Sequence, residues 1–269
     1  MIRDITIGQY YPADSLIHRL DPRVKLFGTL LFIISLFTFK SFSGYVVAIT
    51  FLGAVIKISK VPFGYIIKGL KSIFMIMLFA VVFNVFFATG EHVLFEYGII
   101  QITVEGLRNA AFLGIRLILL VIGSSLMTYT TTPTQLTDAI EKVLGPLNKV
   151  KVPVHEIAMM MSIALRFIPI LMEELDKIMK AQTARGADFE SGKLVERVKA
   201  LVPILVPLFI SAFRRANDLA MAMETRCYRG GTGRTKMKPL TYKRLDFYGY
   251  STVVIYFMLV VLVGRTFYI

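Results

Sequence analysis

The chain has 269 residues, of which 55% are hydrophobic and 18% charged, with a mean hydropathy of +0.65 and a formal net charge of +13. That balance excludes a soluble domain and predicts a membrane protein. The single cysteine, Cys227, excludes an internal disulfide, and the scatter of Cys227, His18, His92 and His155 excludes a zinc-type cluster.

The N-terminal stretch MIRDITIGQYYPADS mixes charges, Pro and Gly and lacks the apolar core of a cleaved signal peptide. Uncharged runs follow at Leu26–Phe39, Ser41–Ile56, Ser72–Gly90, Leu117–Thr137 and Phe247–Gly264. A helix needs about 20 residues to cross the hydrocarbon core. Five membrane helices are therefore predicted, with spans near 24–40, 42–57, 72–90, 107–130 and within 245–269. Only KSFSG, Lys40–Gly44, breaks the first two, which predicts a tight helical hairpin whose short arms borrow turns from their flanks.

Charge orients the spans. Arg3, Arg19 and Arg23 precede the first, and the segment Lys57–Lys71 holds four lysines, so both face the cytoplasm. The segment Glu91–Glu105 holds three glutamates and no lysine or arginine, as an external loop should. Tyr129–Tyr250 carries 19 of the 31 basic residues against 12 acidic ones and belongs inside. The expected topology has a cytoplasmic N-terminus and an external C-terminus, with residues 1–132 and 245–269 in the membrane part and 133–244 as a cytoplasmic insert.

Within the insert, TTPTQLTDAIEKVLGP starts with Thr132 as N-cap, Pro133 at the first helical position and Gln135 at the third, a capping box, and Gly145-Pro146 stops the helix near Leu144. VHEIAMMMSIALRFIPILMEELDKIMKAQTARG reads as one long helix. Ile157, Met161, Ala164, Ile168, Leu171, Leu175 and Ile178 recur at threes and fours, with Glu173–Lys177 and Asp176–Lys180 pairs on the other side and a kink expected at Pro169. ERVKALVPILVPLFISAFRRANDLAMAMETRCYRGG is a third helical unit. Its uncharged core could be a sixth span, but the stripe Phe209, Ala212, Phe213, Ala216, Leu219 and Met223 continues past Arg214 and Arg215, which favours a helix at the cytoplasmic edge of the membrane.

Both long helices end on an arginine, in Ala184-Arg185-Gly186 and in Thr225-Arg226-Cys227. A terminal arginine suits the helix dipole, and a following glycine is a common cap, so a solvated helix end is the simplest account. The repetition points further, because seven of the 13 methionines fall between Met159 and Met223 and methionine suits surfaces that repack around a partner. With HRLDPRVKL at His18–Leu26 and RCYRGGTGRT at Arg226–Thr235, these endings resemble the transmembrane T component, the EcfT/CbiQ-like family, of energy-coupling factor ABC-type importers. The resemblance spans essentially the whole chain; Thr225 and Cys227 stand where Ala and Gly are usual.

The resemblance implies an all-α polytopic membrane protein with crossed cytoplasmic coupling helices. It also implies a non-catalytic subunit whose two arginines dock on two ABC-type ATPase subunits. Their motion would be carried to a separate, small membrane S component for vitamin or transition-metal uptake, in a prokaryotic plasma membrane. ATP and Mg would belong to the partners, and no cofactor is expected on this chain; GGTGRTK, Gly230–Lys236, lacks phosphate-loop spacing and reads as a turn. Among alternatives, an integral-membrane enzyme has only Asn84 and Arg116 as polar candidates at bilayer depth, with no paired carboxylates. A self-sufficient permease or channel finds no repeat of broken helices or intramembrane acid. The basic excess fits anionic lipid better than nucleic acid.

Overall fold

The computed structural model describes residues 10–39, 41–87, 92–97, 100–187, 189, 194–231, 237 and 239–266. Helices run α1 Leu16–Arg19, α2 Pro22–Thr38, α3 Phe42–Ser59, α4 Phe63–Phe87, α5 Val104–Thr130, α6 Pro133–Leu144, α7 Val154–Ala184, α8 Leu194–Thr225 and α9 Arg244–Thr266. A short antiparallel hairpin, β1 Val93–Tyr97 and β2 Ile100–Thr103, separates α4 from α5. A 3-10 turn, Gly145–Val150, follows α6. The described chain divides into two compact units, residues 1–139 with 240–269, and residues 140–239.

In the first unit α2 packs on α5 and α9, α3 on α5 and α9, and α4 on α5. Its core gathers Phe32, Leu36, Phe39, Tyr45, Leu52, Leu119, Leu126, Tyr256 and Val260. Aromatic rings fill much of it: Phe51 stacks on Tyr256 with centroids 4.1 Å apart, and Tyr45 on Phe112 at 5.3 Å. The Tyr256 hydroxyl meets Ser35 Oγ at 2.8 Å, so a polar group buried at this depth keeps a partner. Gly123 allows Phe32 to approach α5, because a Cβ there would overlap the ring. Outward-facing Met75, Ile76 and Phe79 remain exposed, as a lipid-facing surface requires.

By length and apolarity, α3, α5, α7 and residues Arg244–Gly264 of α9 could each cross a membrane. The two arms of α4, Phe63–Lys71 and Ile73–Phe87, are bent by 60° and together could make a fifth crossing. The list differs from the sequence expectation in two places. Helix α2, at 17 residues, is at the short end of what crosses a membrane, and α7, expected in the insert, is long and apolar enough to cross one.

Other boundaries also move. The segment Lys57–Lys71 is no loop: Lys57 ends α3, Lys68 and Lys71 lie inside α4, and only Lys60–Pro62 turn between them, with Lys60 in the left-handed region at φ 57°. The segment read as a plain external loop, 91–105, contains the β1–β2 hairpin and the first turn of α5. The expected spans 72–90 and 107–130 thus begin earlier, at Phe63 and Val104. In α6 the capping box forms: Gln135 N–H donates to Thr132 Oγ1 at 3.3 Å, and Thr132 N–H to Gln135 Oε1 at 3.2 Å.

Candidate coupling site at two helix ends

The second unit is built on α7 and α8. Arg215 Nη2 of α8 meets Glu174 Oε2 of α7 at 3.1 Å, and Gln182 Nε2 donates to Pro203 O at 3.4 Å. Moving up α7 from Glu174 to Gln182 means moving down α8 from Arg215 to Pro203, so the helices are antiparallel. Helix α7 continues unbroken through Pro169, and α8 through Pro203 and Pro207.

The two helices terminate by one hydrogen-bond pattern. At α7, Gly186 N–H donates to Thr183 O at 2.9 Å and Ala187 N–H to Gln182 O at 3.0 Å. At α8, Cys227 N–H donates to Glu224 O at 2.9 Å and Tyr228 N–H to Met223 O at 3.0 Å. This is the Schellman ending, which satisfies carbonyls that the helix cannot. Its next-to-last residue must be left-handed, and Gly186 (φ 89°) and Cys227 (φ 55°) both are. Cys227 therefore performs the backbone role of a glycine, which is why a departure from the usual Ala-Arg-Gly form leaves the geometry of the end intact.

Arg185 and Arg226 consequently hold equivalent places, each the last residue before the left-handed turn. Both are exposed, as are Ala184, Gly186, Thr225 and Cys227. Among the described residues neither guanidinium makes an ion pair or side-chain hydrogen bond. Eleven residues separate Glu174 from Arg185 and Arg215 from Arg226, so each arginine lies about 16 Å along its own helix from the ion pair, in opposite directions. The structure brings the six predicted residues into two matched tips at opposite ends of one helix pair.

Around them the apolar stripes are only partly covered. Leu171, Leu175, Ile178, Ala212, Leu219 and Met223 are half-buried, while Ile157, Met161 and Ile168 of α7 and Phe209 and Phe213 of α8 stay exposed. With Leu201 and Leu205 the exposed residues of α8 form a continuous i, i+4 row. Of the predicted turn Gly230–Lys236, Gly230 and Gly231 are among the described residues: Gly230 is left-handed at φ 89°, and Gly231 sits so close to His155 that a Cβ would overlap its ring. His155 Nδ1 in turn meets Glu141 Oε1 at 2.9 Å. Arg234 lies outside the described residues, as do Arg3, Lys40, Glu91 and Gly192.

In the first unit Arg116 lies over the Phe37 ring, 5.4 Å from its centroid, rather than beside an acid. A cavity of about 310 Å³ between α2, α3, α5 and α9 has Lys25 as its single charged lining residue and neither a carboxylate nor a histidine. No group of acids, cysteine and histidine among the described residues could hold a metal ion.

A family model described as cobalt transport protein, CbiQ, matches residues 13–237. The chain belongs to this family. It is 58% identical over 248 residues to the energy-coupling factor transporter transmembrane protein EcfT of Clostridium kluyveri, covering 92% of each chain. To the protein of the same name from Ruminiclostridium cellulolyticum it is 51% identical over 268 residues, covering both chains fully, and to that of Bacillus subtilis 48% identical over 246 residues, covering 91% of this chain and 93% of the relative. The family identity makes the chain an EcfT-like transmembrane coupling subunit of an energy-coupling factor transporter, a polytopic membrane protein and not an enzyme. Sequence reasoning assigned no role to the buried charges within HRLDPRVKL. The signal was there, because Asp21 and Lys25 flank the start of an apolar helix where unpaired charge is costly.

Proposed function

We propose that Arg185 and Arg226 are the docking points for two ABC-type ATPase subunits, one at each end of the α7–α8 pair, and that residues 133–244 form the cytoplasmic coupling region. ATP and Mg are held by those partners, and the motion passes to a small membrane S component that binds a vitamin or a transition-metal ion. The N-terminus is cytoplasmic and the C-terminus external, in a prokaryotic plasma membrane. In this reading α7 lies on the cytoplasmic side despite its apolar first half; its later half carries Glu173, Glu174, Asp176, Lys177 and Lys180.

The observation that carries the proposal is the equivalence of the two tips. Two matched arginines at equal distances from one ion pair suit two matched grooves. An arginine presents a planar five-donor fork to carboxylates or carbonyls, and truncating a buried contact of this kind costs about 2 to 5 kcal/mol. The exposed row Leu201, Leu205, Phe209 and Phe213 supports a hydrophobic partner or lipid on the adjoining face.

The test is co-purification of ATPase subunits from the native membrane. The double variant Arg185→Ala, Arg226→Ala should insert normally, because a terminal arginine stabilises its own helix by only about 0.3 to 1 kcal/mol, and should lose the ATPase subunits. Lysine at both sites keeps the charge and loses the fork, and should also be defective; Arg234→Ala should be milder. Normal assembly of the double alanine variant refutes the docking role.

A further inference from the structure

The first unit is joined to residues 140–239 by two stretches of chain, one leaving after α5 and one returning before α9. Both are held by the same short segment. On the outgoing side, Lys25 Nζ donates to Thr130 O, the end of α5, at 2.7 Å, and to His18 O at 3.3 Å. The ammonium thus sits at the negative end of the α5 dipole, two residues before the capping box of α6 begins. On the returning side, Arg23 Nη2 donates to Leu240 O at 3.2 Å, and its guanidinium lies 3.8 Å from the centre of the Tyr242 ring. Asp246 Oδ1 accepts from Asp21 N–H at 2.7 Å, while its Oδ2 accepts from Lys243 N–H at 2.7 Å and caps α9. Asp21 closes the set by an ion pair to Arg23 at 2.8 Å.

Asp21, Lys25 and Asp246 are buried, and the Arg23 side chain nearly so. Burying four charges in a fold that could be built from apolar residues costs stability, and such groups are kept where they fix one arrangement. Here they tie together the N-terminus of α2, the C-terminus of α5 and the N-terminus of α9.

We propose that Asp21, Arg23, Lys25 and Asp246 form a transmission clamp, which holds both connections to the coupling region on α2 so that displacement of that region moves the membrane helices instead of being absorbed by slack chain. This rests on the ATPase-docking reading above. The four are positioning residues: they act by holding the ends of α2, α5 and α9 to one another.

The test uses the complex purified from its own membrane with its ATPase subunits, the non-hydrolysed ATP analogue AMP-PNP as probe, and hydrogen exchange read by mass spectrometry with and without it. In the wild type the analogue should change exchange in α7 and α8 and also in α5 and α9. In Arg23→Met and Lys25→Met the α7–α8 response should persist, whereas the response in α5 and α9 should shrink about fivefold or more, the scale of a lost coupling between sites. A merely structural role would alter exchange without nucleotide and leave the nucleotide-dependent difference intact. Thr50→Val, on the exposed face of α3, is the control and should respond like the wild type.

Full retention of the α5–α9 response in Arg23→Met overturns the clamp, as does a wild-type complex in which only α7 and α8 respond. If Lys25→Met fails to accumulate, Arg23→Met decides alone, since methionine keeps the apolar stem of Arg23 and Asp21 keeps the backbone N–H of that residue as a donor. Absence of ATPase subunits from the wild-type sample overturns the docking reading, and the clamp with it, and is distinguished from clamp failure by being visible before any nucleotide is added.

Discussion

Exchanging the capping residues of the two tips should move their stability in opposite directions. An L-residue with a side chain pays about 1 to 2 kcal/mol in the left-handed region, and Cys227 carries that cost while Gly186 avoids it. Nothing lies within 4 Å of a Cβ built on Gly186, so Gly186→Ala meets no steric obstacle, and its penalty is backbone strain less the freedom that alanine lacks in the unfolded chain, about 0.5 to 1 kcal/mol net. Cys227→Gly removes the strain, but glycine has more freedom to lose, so the net gain should be about 0.5 to 1 kcal/mol. Each tip can fray without unfolding the rest of its helix. The change should therefore appear as local opening: faster exchange of the Gly186 and Ala187 amides in Gly186→Ala, by about 2- to 5-fold for 0.5 to 1 kcal/mol, and slower exchange at Cys227 and Tyr228 in Cys227→Gly. Peptide-level hydrogen exchange of the detergent-solubilised protein measures both. Cys227→Ala removes the thiol and keeps the strain, and should match the wild type. Faster exchange in Cys227→Gly would refute the shared ending.

Topology can be checked in a Cys227→Ala background: a cysteine at Glu96 should react with an impermeant reagent from outside, and one at Lys177 only after permeabilisation, so labelling of both from one side contradicts the proposed orientation. For acid stability, burial pushes the Asp21 carboxyl up, but hydrogen bonds from the Arg23 side chain and N–H, with its charge, outweigh this and hold it below the ordinary 3.8. A lowered carboxyl contributes stability that is present above its unfolded value and lost as pH falls through the folded one. Thermal unfolding in detergent should thus show an Asp21 contribution that is constant above about pH 4 and declines below it, and Asp21→Asn should flatten that acid limb; an unchanged acid slope counts against it.

Local signals were legible where one or two neighbouring residues decide the backbone. Thr132 and Gln135 specify their capping box, Gly145-Pro146 ends α6, and a residue following each arginine turns left-handed as the Ala184-Arg185-Gly186 pattern implies. Charge counting failed at α4: Lys68 and Lys71 interrupt an uncharged run, yet lysine is a good helix former and the helix passes through both. The hairpin at 93–103 is not legible from charge: Glu96 is its one charged residue, and strand formation depends on packing that charge does not report. The stripe along α7 has the correct period but does not show its use, since periodicity marks an apolar face without naming what covers it, and Ile157, Met161 and Ile168 are exposed among the described residues. The link from Asp21 to Asp246 joins residues 225 apart, and no local pattern encodes a pairing of that range.

Arg185 and Arg226 belong to different helices and point from opposite ends of an antiparallel pair. A force that draws these ends together therefore shortens neither helix; it slides one along the other. Under the docking proposed above, that load falls as shear on the Glu174–Arg215 contact and on the packing of α7 against α8. Interlocked ridges resist a small slide and yield to a larger one by moving to the next register, about 5.4 Å away for a full turn. If two ATPase subunits dock there as proposed, the pair acts as a detent rather than a spring, resisting a small slide and giving way to a larger one.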